Sequence, residues 1–80
     1  MNVSIDTHAA QAERIRLLRK MSGLSQFELA SKTGINNSVL SSYERGHRRP
    51  SVAHMEAIEK ACTPLAKARA EKFLQQEHKQ

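Results

Sequence analysis

Eighty residues with a net charge of +5, three aromatic residues and a single cysteine leave room for one small domain. A domain of this size buries only about 60–65% of its unfolded surface, so its core must be built economically from Leu, Ile, Val, Met and Ala. The lone Cys62 excludes an internal disulfide and suits a reducing cytoplasm. There is no signal-peptide pattern and no apolar run near the ~18 residues of a membrane span.

In chain order, residues 1–5 are expected as a loose arm. A first helix is expected from about Thr7 to Met21, capped by Asp6 and ended at Gly23, with Ile15 and Leu18 facing inward. Ser25 followed by Glu28 is a capping box, so a second helix begins just after Ser25. Its inward stripe is Leu29 and Ala30, and the small Ala30 lets another helix come close. Gly34 ends it, because the left-handed backbone of a tight helix exit is costly for residues with a Cβ. Ile35 then fills the gap between helices, and Asn36 caps the third. In that helix Leu40 and Tyr43 fall on one face, while Asn37, Ser38, Ser41 and Ser42 occupy the other. A helix this short is unstable alone and must be held by its apolar side. Its polar side is left for a polar partner.

Ser51, after Pro50, is the N-cap of a fourth helix whose Met55, Ile58 and Cys62 recur at spacings of three and four. Thr63-Pro64 is expected to start a fifth, reaching about Glu77, because proline suits a first helical turn and not an interior. No alternating strand pattern appears, so the expected fold class is all-α, with five helices in a single domain over residues 1–80.

Charge is distributed unevenly. Residues 14–49 carry eight Lys/Arg against two acids, and the remainder carries five against six. The whole basic excess therefore lies on the segment with the polar helix face, which is the electrostatic footprint of a nucleic-acid binder. Catalytic chemistry finds little support. The four histidines are scattered, no CxxC or HExxH spacing offers a metal site, and Cys62 reads as a small buried hydrophobe. No cofactor, metal or small-molecule ligand is expected.

The run Gln26-Phe27-Glu28-Leu29-Ala30, then Gly34-Ile35, Leu40, Tyr43-Glu44-Arg45-Gly46 and Pro50, resembles the DNA-binding domain of Cro/phage-repressor (XRE-type) helix-turn-helix regulators. The resemblance covers about residues 15–62, with 63–80 as a C-terminal helix. It implies a lambda-repressor-like domain whose second and third helices form the helix-turn-helix, the third entering the major groove of double-stranded DNA. Asn37, Ser38, Ser41 and Ser42 then become the base readers: an Asn amide can bond adenine N6 and N7 together, and Ser can donate or accept. Val39 either touches a thymine methyl or packs inward. Gln26, Arg45, His47, Arg48 and Arg49 become phosphate contacts, with Gln26 also bracing Asn37, and Pro50 aims the basic loop. Arg19 and Glu44 are implied to form a structural ion pair.

Three positions depart from the pattern: Phe27 where a polar residue is usual, Glu59 for a small apolar one, and Cys62 for leucine. The Val3/Ile5 arm, a partner or the DNA edge could cover Phe27. Two functions fit. One is a sequence-specific regulator, an (auto)repressor of a phage, plasmid, mobile-element or restriction locus, binding (pseudo)palindromic half-sites as a homodimer. The other is an antitoxin-type module that binds a toxin and also represses its own promoter. For the dimer contact the fifth helix is the best source, with Ala66, Ala70, Phe73 and Glu77 along one side and Leu65 and Leu74 nearby. The alternative is that Phe73 and Leu74 fold back onto their own core.

Overall fold

The computed structural model describes residues 8–78, and side chains as far as residue 75. Four helices follow one another: α1 (His8–Met21), α2 (Gln26–Thr33), α3 (Asn37–Glu44) and α4 (Val52–His78). There is no strand among the described residues. Asp6, the Val3/Ile5 arm and the side chain of Glu77 lie outside what is described.

Local chemistry sets the helix boundaries. Ser25 Oγ accepts from the Glu28 amide at 3.0 Å, and the Ser25 amide donates to Glu28 Oε1 at 2.8 Å, closing the capping box of α2. At the other end Gly34 sits at φ +76° and its amide bonds the Ala30 carbonyl. Asn36 Oδ1 accepts from the Ser38 amide at 2.9 Å and starts α3. That helix closes on a paired exit, with the Gly46 amide on the Tyr43 carbonyl and the His47 amide on the Ser42 carbonyl. The exit requires Gly46 at φ +77°, a conformation strained for any residue with a Cβ. Ser51 Oγ then accepts from the His54 amide at 3.1 Å as the N-cap of α4.

The expected break at Thr63-Pro64 does not occur: α4 is a single 27-residue helix with Pro64 inside it. Four helices replace the five. Proline's fixed φ is helical whether the residue starts a helix or continues one; what an interior position loses is the bond to the carbonyl four residues earlier. Thr63 and Pro64 are both exposed, so water can reach the Lys60 carbonyl that goes without its usual donor. The residues beyond, Ala66 to Lys72, are mostly strong helix formers. They carry the helix onward.

The core is compact and lies between α1, α2, α3 and the first half of α4. Ile15, Leu29, Leu40, Ile58 and Cys62 are fully buried, with Ala30, Ile35 and Tyr43 nearly so, and Leu18, Val39 and Met55 pack against them. Tyr43 Oη lies 2.6 Å from His54 Nδ1, which ties α3 to the start of α4. The second half of α4 is held differently. Arg69 Nε donates to the Met21 carbonyl at 3.0 Å, and its guanidinium lies directly over Gly23. Phe73 and Leu74 remain 61% and 57% exposed and do not fold back onto the core of their own chain.

Candidate nucleic-acid interface

The turn between α2 and α3 presents α3 edge-on: Leu40 and Tyr43 are buried, while Asn37 and Ser38 are exposed and Ser41 and Ser42 half-buried on the other side. Val39 is half-buried and packs against the core, so of its two alternatives the free protein shows the inward one. Asn36 Oδ1 accepts both the Ser38 amide and the Ser38 hydroxyl, the latter at 2.7 Å. Asn36 is thus committed to the cap. Ser38, its proton given to Asn36, presents lone pairs outward.

The end of α3 is fixed by a convergence on one residue. Glu44 is only 4% exposed, and a buried carboxylate without a partner is costly. Arg19 meets it with two prongs, Nε to Oε2 at 2.7 Å and Nη2 to Oε1 at 3.0 Å. A third donor, Arg19 Nη1, reaches the Leu24 carbonyl at 3.1 Å, so the same guanidinium also holds the α1–α2 turn. The hydrogen bond to Glu44 raises the Arg19 pKa above its ordinary value, and Arg19 remains charged at any pH the fold survives. Gln26 Nε2 donates to Glu44 Oε1 at 3.3 Å. The resemblance implied that Gln26 braces Asn37; in this structure its side-chain amide reaches the far end of α3. Arg16, which local sequence reading did not single out, donates to the Glu44 main-chain carbonyl and also pairs with Glu13. Two basic residues of α1 and the first residue of α2 therefore set where α3 ends.

Just past that point the chain delivers Arg45, His47, Arg48 and Arg49, all exposed, while Pro50 is buried and anchors the loop. The basic side chains and the polar face of α3 thus belong to one continuous stretch, residues 37–49. Gln26, at the first turn of α2, lies where free backbone amides and the positive end of the helix dipole favour an anion. Phe27 beside it is 73% exposed, at the rim of a shallow groove shared with Leu24, Glu28, Ser31 and Lys32.

Other residues fall outside this surface. Cys62 is fully buried, and burial pushes its thiol pKa up, away from the reactive thiolate. Glu59 pairs with Arg14 at 2.6 Å, joining α4 to α1. No group of His, Cys, Asp or Glu among the described residues could hold a metal ion, and no described helix is long and apolar enough to cross a membrane.

Comparison with known proteins agrees with the geometry. Residues 15–63, more than half of the chain, match the family described as Helix-turn-helix. Neither a curated protein nor a solved structure matches the chain. The matched segment runs from the buried Ile15 to the residue after the buried Cys62, and so contains the whole α2–turn–α3 unit with its basic loop. The chain belongs to the Cro/phage-repressor (XRE-type) family of helix-turn-helix proteins, DNA-binding regulators of transcription.

Proposed function

We infer that the protein is a sequence-specific repressor acting as a homodimer on (pseudo)palindromic double-stranded DNA, with α3 in the major groove and half-sites about 34 Å apart. The observation that carries this reading is the division of α3. Its apolar side and its last residue are wholly engaged by the protein, while Asn37 and Ser38 stay exposed beside an exposed basic loop. Asn37, Ser41 and Ser42 supply base contacts, and Ser38 adds an acceptor suited to the amino group of adenine or cytosine. Val39 contributes chiefly by packing. Gln26, Arg45, His47, Arg48 and Arg49 hold phosphates on either side of the groove. Arg19 and Glu44 act by positioning α3.

Phe73 and Leu74 form the anchor of the dimer. They are apolar, exposed and carried by the half of α4 that extends past the core. Footprinting on the DNA upstream of the protein's own gene tests the proposal. A protected palindrome with two half-sites one helical turn apart is expected; protection of a single asymmetric half-site, or none, overturns the dimeric repressor.

One observation favours a second reading. Phe27 is exposed by 73% on α2, away from the fully buried core, and offers a protein partner an aromatic anchor, as an antitoxin would need. A binding partner that dissociates on Phe27→Ser while DNA binding persists would establish it.

A further inference from the structure

The dimer reading leaves a shortfall in area. A stable interface covers about 600–1,000 Å² on each partner, whereas exposed side chains such as Phe73 and Leu74 present on the order of 100 Å² each. The helix that carries them offers little more, since its neighbouring residues on that side are Ala66 and Ala70.

A second apolar surface lies on α1. Leu17 is 50% exposed and Met21 56%, and with Ala10 and Arg14 they follow one another at helical spacing along a single stripe. The stripe borders a shallow groove lined by Ala10, Glu13, Arg14, Leu17, Leu18 and Met21. Arg69 bonds the Met21 carbonyl, and Phe73 follows Arg69 by one turn on the same side of α4. The α1 stripe and the α4 anchor are therefore held in a fixed relation.

At the stripe itself Arg14 is paired with Glu59, and beside it Arg16 with Glu13, which lessens the repulsion between two like copies.

We propose that the α1 stripe is the other half of the dimer interface, and that Phe73 of the partner subunit seats beside Leu17 and Met21 while the reciprocal contact forms across the two-fold axis. A two-fold interface requires such self-complementarity. The combined surface about doubles the apolar area that α4 offers alone. The inference rests on the homodimer reading above.

The test is sedimentation equilibrium on the full chain with Leu17→Ala, Phe73→Ala and the two combined, with Val52→Ala, exposed near the start of α4, as control. All of these side chains are solvent-exposed in the isolated chain, so thermal unfolding at monomeric concentrations should be unchanged. Leu17→Ala and Phe73→Ala should each weaken the dimer about tenfold, and because the two side chains touch each other, the combination should lose clearly less than the product of the two. The control should leave the dimer as it was. An unchanged dimer in Leu17→Ala beside a weakened one in Phe73→Ala would reject the α1 surface and keep an α4 dimer. Fully multiplicative losses would reject the seating of Phe73 against Leu17. A wild-type chain that stays monomeric up to about 1 mM would reject the dimer reading itself.

Discussion

The two halves of α4 are one helix and two kinds of structure. Up to Cys62 it lies against α1, α2 and α3 and contributes Ile58 and Cys62 to the core, both without exposed surface. From Thr63 onward only Leu65 and Ala66 are half-buried, and every other residue with a described side chain is exposed. The family match ends at residue 63, just past the last buried side chain. Tertiary packing sustains the first half, and intrinsic propensity plus the Arg69 bond to α1 sustains the second. The common part of the fold thus stops where the core stops. What lies beyond is free to specialise.

The largest expected effect probes the packed side of that comparison. Arg19→Ala leaves the Glu44 carboxylate buried without its main partner and should destabilise the domain by about 3–5 kcal/mol, read by urea denaturation. DNA binding should fall with it, although the Arg19 guanidinium is spent within the protein, on Glu44 and the Leu24 carbonyl. A loss below about 1 kcal/mol, the range of surface pairs, would mean that water reaches Glu44 and that the end of α3 is less firmly held than its geometry suggests.

Asn37→Ala comes next and separates reading from folding. Asn37 is exposed, so stability should hold while specific DNA binding weakens by about 1–3 kcal/mol and preference relaxes at one base position. Retained specificity would take Asn37 out of the reading set. Replacing Arg48 and Arg49 together by Gln should instead weaken all DNA sequences alike, and flatten the slope of log K against log salt by about 0.9 for each phosphate no longer neutralised. An altered base preference at an unchanged salt slope would show that the loop reads bases.

On the unpacked half of α4, Ala70→Gly should cost the local helix about 1 kcal/mol yet barely move the global unfolding midpoint of the monomer. Amide exchange checks this: amides beyond Arg69 should exchange faster by local opening, while those of Leu40 and Ile58 keep the rate set by global unfolding. Equal acceleration in both regions would show that α4 unfolds as a unit.

The smallest effect concerns acid. The Ser25 amide and hydroxyl hold Glu28 below its ordinary pKa of about 4.5. A carboxylate with a depressed native pKa stabilises the fold above its unfolded value, and that contribution fades as pH falls through the native one. Glu28→Gln should therefore make stability slightly less pH-dependent below about pH 4.5. Unchanged acid titration would mean the capping box adds nothing beyond the Ser25 side.

These effects follow the limits of what was legible in the chain. The caps at Ser25, Asn36 and Ser51 and the exit at Gly34 could be read because each is a contact within a few residues, whose chemistry is local. The inward stripes of α2 and α3 were legible for the same reason. Pro64 was misleading because proline's backbone preference is the same at a helix start and inside a helix; only solvent access around it decides. The bonds from Arg16 to Glu44 and from Arg69 to Met21, and the Tyr43–His54 contact, join residues 11 to 48 apart. Nothing in a window of sequence distinguishes Arg16 from Arg14 two residues before it, yet one supports the end of α3 and the other bonds Glu59. The exposure of Leu17 and Met21 was equally silent, since their spacing also fits an inward face.

Apart from the Asn36 cap at its start, the contacts that fix α3 fall on its buried side or at its Glu44 end, and its outward positions answer to different demands. Asn37 and Ser38 can take almost any helix-compatible residue, although replacing Ser38 gives up its bond to Asn36. Ser41 and Ser42, half-buried, admit only small side chains without moving the helix. A library confined to positions 37 and 38 should thus redirect the protein to new operators on an unaltered scaffold.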